Sequence, residues 1–121
     1  MENILIVDDT KTNALLLEFM LSDFNVKSVY DSKKALKSIN DNKPDILLLD
    51  IVMPGYSGYD LLKEIKNDSN LNDIRVIVVS GLDNVDAKVK AFELGADEYF
   101  QKPVNSKRLL KVIRDYDKLV H

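Results

Sequence analysis

Three unbroken apolar blocks, each followed by an acidic or hydroxyl residue, constrain the fold of this chain more than any other feature. They are Ile4–Val7, Ile46–Leu49 and Val76–Val79. The blocks do not alternate apolar with polar residues, so both faces of each strand are expected to be covered, as in a parallel sheet. Two shorter segments of mixed polarity, Val26–Val29 and Glu98–Phe100, are predicted edge strands.

Segments with helical spacing of apolar residues lie between the strands, and each is predicted to turn one apolar stripe towards the sheet. The stripes are Leu16/Phe19/Met20, Leu36/Ile39, Leu61/Leu62/Ile65, Val85/Val89/Phe92 and Leu109/Ile113/Tyr116. Phe19, Phe92 and Tyr116 are accordingly predicted core residues. Because parallel strands need crossover connections, and right-handed crossovers place helices on both faces, the pattern predicts an α/β fold. Its expected form is a doubly wound (βα)5 sandwich around a five-stranded parallel sheet.

Residues that favour helix ends stand at four predicted boundaries. Asp31 or Ser32 precedes the second helix, Gly58 the third and Ser106 the fifth, whereas Gly95 follows the fourth. These signals support the helical segments independently of the apolar spacing.

The size and charge of the chain exclude several classes of function. It has 121 residues, and because no linker, repeat or low-complexity segment divides them, residues 1–121 are expected to form a single domain. Seventeen basic against 20 acidic side chains give a net charge of −3, with no basic stripe for direct binding of nucleic acid. The absence of cysteine excludes a zinc–thiolate site and agrees with a cytoplasmic location. The short apolar run near the amino terminus predicts neither a signal peptide nor membrane insertion.

Polar residues follow the predicted strands at the point where each strand ends. Asp8 and Asp9 follow the first strand, Asp50 the third, Ser80 the fourth, and Lys102 comes just after the fifth. In an open α/β sheet the ligand crevice lies beyond the carboxyl ends of the strands. We therefore expect these five side chains to converge at one edge of the sheet.

Three carboxylates in one place require compensating positive charge. Each close pair would be repelled by about 4 kcal/mol in a partly buried site. Lys102 offsets one charge, and Mg²⁺ would offset two, since it prefers carboxylate, water and phosphate oxygens as ligands. Transition metals fit poorly, because the only imidazole is His121 at the terminus. A carboxylate so placed could act as a nucleophile towards a phosphoryl group, with Ser80 as a hydrogen-bond donor.

Four segments together resemble the signature regions of response-regulator receiver domains, the CheY-like phosphoacceptor domains of two-component signalling. They are Ile4–Asp9, Leu49–Gly58, Val79–Gly81 and Gly95–Pro103. Each segment is weakly specific alone, but the resemblance covers the whole chain in the family's order and spacings. It implies the flavodoxin-like strand order 2-1-3-4-5 and a signalling switch rather than an enzyme.

The resemblance also implies a role for each matched position. Asp50 would be the phosphoacceptor and would receive the phosphoryl group from a histidine kinase, a histidine phosphotransfer protein or a small phosphodonor. Asp9 would ligate Mg²⁺ directly and Asp8 mainly through water, and the backbone carbonyl of Val52 would complete the protein ligands. Lys102 would pair first with Asp50 and then with the phosphoryl group.

A conformational response is implied as well. Phosphorylation would draw Ser80 inward, and Tyr99, at the aromatic switch position, would rotate into the space it leaves. A downstream effector protein or domain would bind the face of the fourth helix, fifth strand and fifth helix, where a homodimer could also form. The Lys102–Pro103 bond is often cis in the family, which would aim the lysine into the site. Val52 and Leu82 occupy two positions that tune the phosphoryl lifetime, and since neither can orient water, slow self-dephosphorylation is expected.

Three alternatives stay open. A flavodoxin-like cofactor binder would share the strand order but should carry a Gly/Ser/Thr-rich phosphate loop where this chain has two carboxylates. A haloacid-dehalogenase-type phosphatase also uses an aspartyl phosphate, but places it in an Asp-x-Asp pattern that Asp8-Asp9-Thr10 lacks. A receiver that only binds a partner would have lost phosphorylation, although all five site positions are intact here.

Overall fold

The computed structural model describes residues 3–52, 57–81 and 85–120, which form five parallel strands alternating with five helices. The elements are β1 Asn3–Val7, α1 Lys11–Met20, β2 Asn25–Val29, α2 Ser32–Asp41, β3 Ile46–Leu49, α3 Gly58–Lys66, β4 Arg75–Ser80, α4 Val85–Glu93, β5 Glu98–Gln101 and α5 Ser106–Val120. The strand order is β2-β1-β3-β4-β5. This confirms the predicted flavodoxin-like sheet, with β2 and β5 at its edges.

The core is divided by the sheet into two apolar layers. Alternate residues of the three central strands point to opposite layers, so that Leu5 and Leu47 face one side and Ile6 and Leu48 the other. Helices α2, α3 and α4 cover the first layer, and α1 and α5 cover the second. The unbroken apolar blocks are thus explained by burial on both faces.

The predicted apolar stripes are correct for three helices, partly wrong for α1, where only Met20 of the three packs against the core, and wrong for α4. In α2, α3 and α5 the residues expected to face the sheet are buried or pack against the core. In α1, however, Ala14 and Leu17 face the sheet, and Phe19 is 84% exposed. In α4 the buried residues are Ala87 and Ala91, whereas all three members of its predicted stripe are exposed. In α4 both sheet-facing residues are alanines, so the bulkier Val85, Val89 and Phe92 lie outward.

Polar side chains cap the amino-terminal ends of α2, α3 and α5, whereas Thr10 before α1 makes no side-chain cap bond. The Asp31 carboxylate accepts the backbone N–H of Lys34 at 2.8 Å, which confirms the predicted cap of α2. The cap of α3 is Ser57, which forms a reciprocal capping box with Asp60, so the prediction of Gly58 was one residue late. Asn105, rather than Ser106, accepts a backbone N–H in the first turn of α5.

Gly95 ends α4 as predicted. Its φ of 107° lies in the left-handed region, where a side chain would be strained. Its N–H donates to the Phe92 carbonyl at 3.0 Å, and the N–H of Ala96 donates to the Ala91 carbonyl at 3.0 Å. This pair of bonds is a Schellman motif, which satisfies carbonyls at the end of the helix.

A polar cluster lies at the amino-terminal ends of strands β4 and β5. The Asp97 carboxylate accepts hydrogen bonds from the backbone N–H of Val76 at 2.8 Å and from Lys66 Nζ at 3.2 Å. Lys66 also donates to the carbonyl of Ile74 at 2.7 Å. These contacts join α3, β4 and β5. Across residues 3–52, 57–81 and 85–120, every helix is too short or too polar to cross a membrane.

Candidate functional site

The five polar residues singled out in the sequence lie at the carboxyl ends of the strands. Asp8 and Asp9 directly follow β1, Asp50 directly follows β3, Ser80 is the last residue of β4, and Lys102 follows β5. The Asp50 N–H donates to the carbonyl of Val7 at 2.9 Å, and the Lys102 N–H donates to that of Ser80 at 2.8 Å. Backbone bonds between neighbouring strand ends therefore fix where these side chains start.

Lys102 joins two of the carboxylates. Its ammonium donates to Asp8 Oδ2 at 2.9 Å and to Asp50 Oδ2 at 3.2 Å. The second oxygen of each carboxylate accepts a backbone N–H two residues later, from Thr10 at 2.9 Å and from Val52 at 3.0 Å. Asp8 and Asp50 are almost completely buried, so these bonds replace water that both have lost. The link to Asp8 goes beyond the expectation that Lys102 pairs with Asp50.

Burial and charge shift the protonation equilibria of this group. Burial raises the pKa of Asp50 above its ordinary value of 3.8, with Asp8 adding to the rise, and the bonds from Val52 and Lys102 offset it only in part. Burial acts to lower the pKa of Lys102, but the two carboxylates together outweigh it and leave the pKa above 10.5. One ammonium is thus shared between two acids, and Asp50 is incompletely compensated.

The donor set fits a hard divalent cation. Asp8, Asp9 and Asp50 each offer a carboxylate oxygen, and these atoms lie within 4.8 Å of one another. With Lys102 beside them, the three carboxylates keep an uncompensated charge of −2. Oxygen ligands, a partly open position and this charge suit Mg²⁺. A role for the Val52 carbonyl stays a prediction.

The five polar residues at the strand ends, Asp8, Asp9, Asp50, Ser80 and Lys102, are called the rim below. Of the two proposed switch residues, Ser80 belongs to the rim and Tyr99 lies in β5, beside β4. Ser80 is completely buried at the end of β4, and Tyr99 of β5 is also buried, in the core layer covered by α3 and α4. Tyr99 pairs with Val78 in the register of β4 and β5. The Lys102–Pro103 peptide bond is cis, as the family resemblance suggested. Leu82, residues 53–56 and His121 lie outside the described residues.

Two features of the site were not anticipated from the sequence. Gly58 packs so closely on the acceptor strand that an added Cβ would lie 2.4 Å from the Asp50 carbonyl oxygen. A groove of about 300 Å³ also opens between α1 and the segment after β5. Its lining residues are Asn13, Leu16, Leu17, Met20, Val79, Lys102, Pro103 and Val104. The sequence signal for this groove was the apolar residues Leu16 and Phe19 of α1, which the predicted stripe had assigned to the core.

Comparison with known proteins gives a consistent result. The family model described as "Response regulator receiver domain" matches residues 4–114. The relative named "Probable transcriptional regulator ycf27" of Guillardia theta is 37% identical over 115 residues, which are 93% of this chain and 44% of that protein. Response regulator PleD of Caulobacter vibrioides is 33% identical over 113 residues, covering 92% of this chain and 25% of PleD. The chain therefore spans half or less of the length of these two relatives.

A solved structure agrees with these matches in fold and sequence. The receiver domain of NtrX from Brucella abortus superposes with a TM-score of 0.85 at 33% identity, covering 93% of this chain and 96% of that domain. The residues matched by the family model, 4–114, reach into all ten elements and include Asp8, Asp9, Asp50, Ser80 and Lys102. This chain therefore belongs to the response regulator receiver domain family.

Proposed function

We propose that this chain is a phosphorylation-controlled switch in which Asp50 accepts a phosphoryl group and passes the signal on through a change of conformation. The observation that carries the proposal is the convergence of Asp8, Asp9 and Asp50 beside Lys102 at one edge of the sheet. Residues 1–121 would act as one receiver domain in the cytoplasm. The chain would be a signalling switch rather than an enzyme with turnover.

The transfer step needs an ionised acceptor. One oxygen of the Asp50 carboxylate attacks phosphorus, an O–P bond forms, and the P–N bond to the donor histidine breaks. The imidazole leaves with the electron pair and takes up a proton from water. Asp50 suits this step because it is buried but still reaches the rim, where its Oδ2 is held by Lys102.

Charge neutralisation is the main contribution of the surrounding residues. Asp8, Asp9 and Asp50 would hold Mg²⁺, which supplies positive charge to the phosphoryl oxygens when it is bound. The Lys102 ammonium, already 3.2 Å from Asp50, would move to an oxygen of the phosphoryl group. The hydroxyl of Ser80 would donate to another oxygen.

The partner that donates the phosphoryl group must cover the surface next to Asp50. The α1 groove shares Lys102 with the site, and Leu16 and Phe19 beside it are 57% and 84% exposed. We propose that an apolar helical surface around the donor histidine of a kinase or phosphotransfer protein docks here. Phe19→Ser should lower the transfer rate from such a protein about tenfold and leave labelling by a small phosphodonor unchanged. Equal loss with both donors would contradict docking at this groove.

Labelling with acetyl phosphate tests the acceptor directly. Wild-type protein with Mg²⁺ should take up one phosphoryl group, detected by intact-protein mass spectrometry as a gain that mild base removes. Asp50→Asn should take up none, and Asp23→Asn, an exposed acid elsewhere, should label normally. Absence of wild-type labelling would favour a receiver that only binds a partner, and catalytic turnover of a phosphate ester would favour a phosphatase.

The lifetime of the phosphoryl group follows from the neighbours of the acceptor. Val52 is exposed beside Asp50 but is aliphatic and cannot orient an attacking water, and Leu82 has the same limitation. Slow self-dephosphorylation is therefore expected. In purified labelled protein with Mg²⁺, a lifetime of only seconds would contradict this expectation.

A further inference from the structure

Helix α4 is attached to the sheet through two small side chains. Ala87 and Ala91 are buried, whereas Val85, Val89 and Phe92 are exposed. Hydrophobic free energy scales with buried apolar area, and two alanines bury little of it. Contacts from neighbouring side chains therefore add to the attachment of α4.

Tyr59, the second residue of α3, supplies two of these contacts. Its hydroxyl donates to the carbonyl of Ala87 at 3.3 Å. The ammonium of Lys90 lies over its ring, 4.3 Å from the centroid, within the range of a cation–π interaction. Tyr59 thus contacts α4 at two places one turn apart, the backbone carbonyl of Ala87 and the side chain of Lys90.

Tyr59 and Tyr99 belong to the same core layer. Tyr59 packs against the core layer that contains Tyr99, and burial, followed by the proximity of Tyr99, raises the pKa of the Tyr59 hydroxyl. The ammonium of Lys88, on α4, is 6.0 Å from the centroid of the Tyr99 ring. Movement of Tyr99 would therefore change the surface against which both Tyr59 and α4 pack.

We infer that Tyr59 is a positioning residue of the switch, whose hydroxyl bond to Ala87 and contact with Lys90 hold α4 in its unphosphorylated arrangement. The inference rests on the proposed phosphorylation of Asp50, which displaces Tyr99 and so releases α4. A ligand shifts a conformational equilibrium only through contacts that differ between the two states, and the Tyr59–Ala87 bond is such a contact. Linkage requires that removing the bond also favours the activated state.

The test compares Tyr59→Phe with wild type by amide hydrogen exchange of residues 85–93. The variant keeps the ring beneath Lys90 and removes only the hydroxyl. Without ligand, its α4 amides should exchange about fivefold faster, as expected for loss of one neutral hydrogen bond. Tyr30→Phe is the matched control, because Tyr30 also has a lysine over its ring, Lys11 at 5.6 Å, but follows β2 at the far edge of the sheet.

The activated state separates a switch role from a purely structural one. With saturating Mg²⁺ and beryllofluoride as the phosphoryl analogue, the exchange of α4 should become the same in Tyr59→Phe and wild type. The variant should also bind beryllofluoride more tightly, by up to about fivefold. An unchanged α4 exchange without ligand, or an equal difference in both states, would overturn the inference. If wild type binds no beryllofluoride, the proposed phosphorylation fails instead, and the ligand-free comparison still decides whether Tyr59 holds α4.

Discussion

Asp50 has an electrostatic environment that favours reactivity over stability. Its carboxylate is buried and has only a share of the Lys102 ammonium, because Asp8 takes the other share at 2.9 Å. A buried charge without full compensation is costly, which explains why burial dominates the raised pKa of Asp50. Such a group gains most when positive charge is added, and the proposed binding of Mg²⁺ adds it.

Replacing Asp50 with asparagine should stabilise the protein at neutral pH without Mg²⁺. Because the pKa is raised in the folded state, the folded chain loses stability as the pH rises through that pKa and Asp50 ionises. Asparagine avoids this loss, so Asp50→Asn should gain about 1 kcal/mol at pH 7 in urea denaturation. The gain should disappear below the ordinary value of 3.8, where aspartate is protonated in both states. Asp23→Asn should show no such gain, and a less stable Asp50→Asn would contradict the assignment.

Removing Lys102 should have the opposite effect. In Lys102→Met the buried carboxylates of Asp8 and Asp50 lose their shared counter-ion, which should cost about 2–3 kcal/mol at pH 7. Because its pKa is raised, the contribution of Lys102 is complete below 10.5 and is lost as the pH rises through the higher folded value. Mg²⁺ should partly restore the stability of Lys102→Met. Lys107→Met, at an exposed position of α5, is the control, and equal stabilities of the two variants would exclude a counter-ion role.

At the scale of elements, the start of α3 determines the position of the acceptor strand end. The Ser57–Asp60 capping box fixes the first turn, and Gly58 allows that turn to contact the backbone of Asp50 and Ile51. The helix can approach so closely only because residue 58 has no side chain.

Gly58→Ala should therefore disturb both stability and the site. The added Cβ would lie 2.4 Å from the Asp50 carbonyl oxygen and from Ile51 Cα, so backbone must move. The expected loss is about 1–3 kcal/mol, measured by urea denaturation, together with reduced acetyl phosphate labelling. Gly81→Ala is the control, since its Cβ would meet nothing within 4 Å although it adjoins Ser80. If Gly58→Ala behaved like Gly81→Ala, the proposed steric role would be wrong.

The difference between α3 and α4 shows what the sequence could predict. Apolar blocks and helical spacing identified the three central strands and the five helices, and the rule that parallel strands end at one edge predicted that the rim residues meet. Spacing could not choose between the two faces of α4, since Ala87/Ala91 and Val85/Val89 are both four residues apart. The structure resolves this by packing the smaller pair on the sheet. Contacts such as Tyr59 with Ala87 join residues 28 apart, and no periodicity encodes them.

At the scale of the whole molecule, the candidate site and the Asp97–Lys66 cluster lie at opposite edges of the sheet. Asp97 and Lys66 join three elements, whereas the strand carboxyl ends carry the acids of the rim. The two polar groups therefore lie at opposite ends of the strands.

Mg²⁺ should raise the melting temperature of the wild-type chain. Binding to the folded state alone contributes about 1.4 kcal/mol at a free concentration of ten times Kd. Asp9→Asn removes an exposed carboxylate that we propose as a ligand and should abolish most of the shift, whereas Asp23→Asn should keep it. Thermal denaturation followed by circular dichroism, with Ca²⁺ and NaCl as comparisons, measures the effect. An equal shift in Asp9→Asn would remove this carboxylate from the proposed ligand set.

Asp8 and Lys102 are 94 positions apart in the chain, and their contact depends on strands at both ends of the sequence being in register. Phosphorylation of Asp50, as proposed, would consequently depend on the complete tertiary structure, because Asp8 and Lys102 come together only when the strands between them are paired. In a nascent or misfolded copy, Asp50 would not be phosphorylated even when donor molecules are abundant. The proposed phosphorylation, and the signal that it carries, would thus be restricted to copies that have completed folding.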